Sequence, residues 1–200
     1  MTESEKPKGH VIDPTQLPAG FPTHRHSPAF WEALGRAVAS FGFLEETLAR
    51  AIFGFTGTRK IPEKDAEAEF EKWLATLKRT LSDSLGPLID TYGKAIRDHQ
   101  DANIPNFDKL LADLRKATKL RNVICHGSWR PPDANGFSTT FYVDKKEGVF
   151  TGSVDIAFLQ QIQTGVAEVT AGVVSSFTYM GWQFPGSSGP GNPVFQSSKG

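Results

Sequence analysis

Leu120-Arg121-Asn122-Val123-Ile124-Cys125-His126-Gly127 closes a strongly helical segment of this 200-residue chain and gathers its most suggestive polar side chains. Asn122 and His126 stand four positions apart, so a helix stacks them on one side. Arg121 starts from another side, roughly 140° of rotation away from His126 on an ideal helix. Its stem is long, however, and carries a planar cation that matches a phosphate. Guanidinium, amide and imidazole together can hold a phosphodiester and move a proton. The same residues also admit a structural reading: a buried Arg paired with an acid, an Asn near a helix end, and a His favoured by the helix dipole.

Working outward, Pro105-Asn106 starts the helix that carries this stretch. Leu110, Leu114, Ala117, Arg121 and Ile124 recur at alternating spacings of four and three, which places Arg121 at a nominal core position. Between Lys109 and Arg130 six basic residues face a single acid, Asp113. Exposed helix lysines are common as a solvated face, so this excess alone does not define a binding surface.

Beyond the stretch, Arg130-Pro131-Pro132-Asp133 ends the helical pattern. Phe137 to Val143 alternates, and Val149 to Val154 is a suitable partner across Asp144-Lys145-Lys146-Glu147-Gly148, which predicts a small β-hairpin over about 137–154. Ser153 or Asp155 then caps a last helix whose apolar stripe is Phe158, Ile162, Val166, Val169, Val173 and Phe177, with Gly181 as its stop.

Ahead of the stretch, Ser27-Pro28 is a hydroxyl cap followed by a proline at the first helical position. The helix they open is expected to run to about Phe55, ended by Gly54 and Gly57, with Leu34, Val38, Phe41, Leu44, Leu48 and Ile52 inward. Glu45 falls inside that stripe and Glu46 turns away. A carboxylate on a core face needs a cationic or hydrogen-bonding partner, and Arg121, also at a core position, is the predicted one. Loss of one member of a buried pair costs about 3–5 kcal/mol. Pro62 opens a second helix with Phe70, Trp73, Leu74, Leu77 and Leu81 as its expected buried face. Past Gly86-Pro87, a third uses Leu88, Ile89, Tyr92 and Ile96. The expectation is an all-α bundle of about five helices, with a small hairpin inserted before the last. The domain spans 27–182, between a Pro-rich mobile arm (1–26) and a disordered Gly/Ser/Pro-rich tail (183–200).

Hydrophobic content of 38% against 22% charged residues fits a soluble globular protein, and 22 basic residues balance 22 acidic ones. The chain is therefore no polycation, and any nucleic-acid affinity must be local. A single cysteine, Cys125, excludes an internal disulfide, and neither a signal core nor a membrane span is visible, so the cytoplasm is expected. His24 and His26 alternate around Arg25 but lack Cys or carboxylate partners, and no metal site or cofactor is expected. Cys125 and His126 diverge by about 100° on a helix, so adjacency makes no thiol–imidazole dyad. No phosphate-binding Gly loop or nucleophile elbow is present.

Arg-Asn-x-x-x-His near the end of a helix, on a later helix than one reading Phe43-Leu44-Glu45-Glu46, resembles the signature of HEPN domains across roughly residues 28–180. The resemblance implies a metal-independent endoribonuclease of the toxin–antitoxin or antiviral-defence type, acting as a homodimer in which two motifs share a cleft. His126 would act on the ribose 2′-hydroxyl or the leaving oxygen, Arg121 would hold the phosphate, and Asn122 would orient phosphate or imidazole, with Glu45 in support. Lys116, Lys119 and Arg130 would be the RNA contacts, and an antitoxin or defence-system protein a further partner. A non-catalytic module of the same family, binding a protein, nucleotide or RNA, is the alternative. HEPN toxins paired with a nucleotidyltransferase carry a Tyr two positions after the His. Ser128 stands there instead, so regulation by tyrosine modification is not implied.

Overall fold

Ser27 and Pro28 start helix α1 (Pro28–Gly57) as their chemistry requires: Ser27 Oγ accepts from Phe30 N at 3.3 Å, and Pro28 sits where no N–H is needed. The structure, a computed structural model, describes residues 9–144 and 148–194. Four further helices follow, α2 (Ala66–Thr80), α3 (Leu85–Arg97), α4 (Phe107–His126) and α5 (Ile156–Thr178), which matches the expected helix number. α1 packs chiefly against α5 and α3, and α4 against the same two helices. Phe55, Tyr92 and Phe177 meet edge-on at the centre of this core. Burial drives the Tyr92 hydroxyl far above the ordinary phenol range, slightly offset by its 2.7 Å hydrogen bond with Ser176 Oγ.

Two details of α1 differ from expectation. Ala37 is buried where Val38 was expected, and Val38 reaches solvent. Gly54 does not end the helix; an added Cβ there would lie 2.7 Å from the Phe177 ring, so its smallness sets the close approach of α5.

The all-α expectation is overturned. Four strands, β1 (Ser128–Trp129), β2 (Ser138–Asp144), β3 (Gly148–Phe150) and β4 (Ser153–Val154), form an antiparallel sheet with β2 at its centre. The expected hairpin is one part of it, with Val143 opposite Val149. On the same edge Ser138 meets Val154, in continuous register with β3, and on the other edge Ser128 meets Phe141. β1 and β4 are two residues long, too short to display the period of two by which a strand is read from sequence. The architecture is mixed. Lys145, Lys146 and Glu147 lie outside the described residues.

The face expected to bury α2 is also corrected. Leu81 is 83% exposed and Phe70 is exposed, while Trp73, Leu74 and Leu77 are half-buried. Contact runs through Trp73, which donates to Thr56 Oγ1 at 2.9 Å and lies 5.6 Å from the Phe53 ring. α2 meets chiefly the last turns of α1, with Arg79 also donating to Thr91 Oγ1 of α3 at 3.3 Å, too little apolar surface to cover a five-residue stripe.

Beyond the expected domain boundaries, His26 Nε2 lies 2.7 Å from Ser138 Oγ and its ring stacks on Phe30 at 4.4 Å. Phe184 is buried against Phe177, and Gln183 N donates to Asn192 O at 2.8 Å. Residues 1–8 and 195–200, at the extremes of the expected arm and tail, lie outside the described residues. Among the described residues no helix is long and apolar enough to cross a membrane.

Candidate active site

The end of α4 is set by Gly127. Its backbone is extended (φ −72°, ψ 146°), and its N–H donates to Val123 O at 2.9 Å. A Cβ at this position would collide with Thr140 Cγ2 and Val123 O. Glycine therefore lets the chain leave the helix and enter β1 within one residue. His126 is thereby held, exposed, at the junction of helix and sheet.

Arg121 brings the predicted residues together. Its Nη1 lies 3.1 Å from His126 Nε2 and 3.5 Å from Asn122 Oδ1, while its Nε lies 3.5 Å from Glu45 Oε1 on α1. The long stem thus spans the rotation that separates Arg121 from His126 on the helix. Glu45 and Arg121 meet as expected, yet with side chains 26% and 21% exposed they form a half-buried pair. Glu45 Oε1 is itself inaccessible and accepts no hydrogen bond, so the attraction is Coulombic without hydrogen-bond alignment. Glu46 instead pairs with Arg50 on its own exposed face.

The basic residues divide. Lys116 lies 3.0 Å from Asp113, which also takes Lys109 at 2.8 Å, and these are surface pairs on α4 itself. Lys119 is exposed. Arg130, also exposed, places its guanidinium carbon 5.7 Å from the Phe141 ring centroid. Arg115, Lys119, Asn122 and His126 fall within an arc of about 60° on α4, and Arg115 reaches Asp90 on α3 at 3.4 Å. Two contributors were not singled out from sequence. Gly127 shows itself only through its neighbours, whereas the Arg115 stripe was legible in its spacing.

Other candidates separate from this centre. Cys125 is half-buried beside it; burial pushes its thiol up, an effect that Arg121 opposes and Glu45 reinforces, so it packs as a neutral group. His26 is engaged by Ser138, and burial holds its pKa below the ordinary value, partly offset by a hydrogen bond to the Arg130 backbone. Among the described residues no three His, Cys, Asp or Glu side chains are grouped so as to hold a metal ion. Chemically, the centre offers a directed guanidinium, an exposed imidazole and an amide within reach of one another. No family model, curated protein or solved structure matches the chain.

Proposed function

We propose that this chain is a HEPN-type, metal-independent endoribonuclease in which His126 moves protons and Arg121 holds the scissile phosphate. The observation that carries this reading is the 3.1 Å approach of Arg121 Nη1 to His126 Nε2 at an exposed helix end. A guanidinium has only donors, so in this contact Nε2 is the acceptor. An arriving phosphodiester competes for the same Nη1 edge, and the charge-assisted pair is the stronger one. Transfer of Arg121 to the phosphate frees Nε2.

Nε2 then takes the proton of the ribose 2′-hydroxyl. The 2′-oxygen bonds to phosphorus and the bond to the 5′-oxygen breaks. A proton passes to that leaving oxygen, giving a 2′,3′-cyclic phosphate and a 5′-hydroxyl. Glu45 holds the Nε edge of the guanidinium, and Asn122 limits its swing. Base and acid are both needed, and one motif supplies one imidazole, so the active form in this reading is a homodimer. Lys119 and Arg130 steer the strand; Lys116 does so after release from Asp113. A cytoplasmic defence or growth-arrest role, with an antitoxin or defence-system partner, belongs to the same reading.

The test is cleavage of labelled single-stranded RNA by the purified full chain in EDTA. Wild type is expected to cut and His126→Ala to be inactive with an unchanged circular-dichroism spectrum. Equal activity in the two proteins would remove the nuclease. Light scattering that finds a fully active monomer would remove the dimer alone.

A further inference from the structure

We infer that the outward face of the sheet is a base-stacking platform for single-stranded RNA, centred on Phe141. The inference takes its occupant from the nuclease reading above but stands on a different part of the molecule. Residues directly opposite one another in an antiparallel pair share a face, and neighbours along a strand alternate. β2 buries Ser138 and Thr140, so Thr139, Phe141 and Val143 point outward. Their partners Ser153, Ser128 and Val149 share that face. Arg130, two residues beyond Ser128, joins them, and its guanidinium lies over Phe141. Phe141 is 49% exposed, with Val143, Val149 and Phe137 exposed around it.

Phe137, Phe141, Val143 and Val149 are exposed together on this face, and a contiguous apolar patch of this kind marks an interaction surface. Three observations favour a nucleic-acid strand over a protein surface. The ring is covered by the Arg130 guanidinium, 5.7 Å from its centroid, which a base would replace as the cation turns to the phosphate, the combination single-strand binders use. The platform begins two residues after His126, since Ser128 is the direct register partner of Phe141. Arg115, paired with Asp90 of α3, and Lys119 stand on the His126 side of α4, so cationic side chains lead to the junction from which β1 starts. A base stacked on Phe141 would put its ribose–phosphate beside the end of α4. A duplex, whose bases are already stacked on each other, cannot use such a platform, which makes the substrate single-stranded.

The experiment measures binding by full-chain His126→Ala protein, so that RNA survives, to a fluorescent single-stranded oligoribonucleotide, its duplex, and an abasic strand of equal length. Phe141→Ala and Phe141→Leu, the latter retaining bulk without a π face, are each expected to weaken single-strand binding by about 5- to 100-fold. Phe141→Trp is expected to bind at least as tightly as the parent. Abasic strand and duplex are expected to bind weakly and to ignore the substitutions. Unchanged single-strand affinity in folded Phe141→Leu overturns the platform, as does an abasic strand that binds as well as the intact one. Unchanged affinity with a dimer turned monomer would assign the face to a second copy. Cleavage by the His126-containing protein, run in parallel, separates the two ideas. Phe141-dependent binding without cleavage supports the platform and removes the nuclease. His126-dependent cleavage with Phe141-independent binding does the reverse.

Discussion

His99, two residues past the end of α3, is 5% exposed, and both its ring nitrogens are spent: Nδ1 accepts from Asp101 N at 3.2 Å and Nε2 lies 3.1 Å from Thr58 Oγ1. His126, the last residue of α4, is exposed and faces a guanidinium. Both imidazoles finish helices that pack side by side, yet the first is a fastener between α3 and the end of α1. The second meets side chains that a substrate can draw away. What separates a fastener from a site is whether the ring is buried among partners held at element ends or exposed beside a side chain that a substrate can draw away.

The comparison breaks most sharply by substitution. In the proposed nuclease, His126→Ala should lower RNA cleavage by about 10²- to 10⁴-fold and change stability within about 0.5 kcal/mol. His99→Ala should do the opposite, costing about 2–3 kcal/mol by leaving a cavity and the Asp101 N–H without its acceptor. Urea melts and cleavage rates on both variants check this, and a reversed pattern would show that the roles have been misassigned.

Gly127→Ala comes next. The added methyl has no room against Thr140 and the Val123 carbonyl, and crowding of this kind costs about 1–3 kcal/mol. Cleavage should fall with it, because the end of α4 can no longer turn directly into β1. A variant as stable and active as the parent would mean that the junction tolerates displacement.

Glu45→Gln should cost about 1–2 kcal/mol, less than a fully buried pair and more than a surface one, given the half-buried, unaligned contact with Arg121. Glu46→Gln should change stability by less than about 0.5 kcal/mol. Equal effects of the two substitutions would show that Glu45 does not hold the guanidinium.

The smallest effect is one of pH. Burial lowers the pKa of His99 and of His26 below the ordinary 6.5. The unfolded chain therefore binds more protons in that range, and the stabilisation is fully present above about pH 6.5 and is lost as pH falls through the lowered folded values. Urea midpoints should drop on acidification from about pH 7.5 to 5.5, and the combined His26→Gln, His99→Gln protein should show a flatter profile. An unaltered slope would place the proton uptake elsewhere.

Helices were legible wherever a stripe could find a complete surface to cover, as for α1, α3 and α5. α2 shows why a stripe alone is insufficient: Phe70 and Leu81 keep the correct spacing but remain exposed among the described residues. The centre was legible as residue types at i, i+1 and i+5, with Glu45 as the expected partner of Arg121. The chain order does not report whether Glu45 aligns for a hydrogen bond, and here it does not.

By itself the sequence determined the helix start at Ser27 and narrowed the last one to Ser153 or Asp155, because a cap bonds its own neighbours: Ser27 to Phe30 N and, in the structure, Asp155 to Phe158 N. It also determined that Asn122 and His126 share a side of α4, since a helix imposes that period on any chain. Only the tertiary structure decided that Ser128–Trp129 is a strand, that Gly127 is the hinge into it, and that Arg121 reaches His126 while facing Glu45. Those outcomes depend on groups far apart in the chain, Thr140 against Gly127 and α1 against α4. Packing selects such contacts after the local periods have been satisfied.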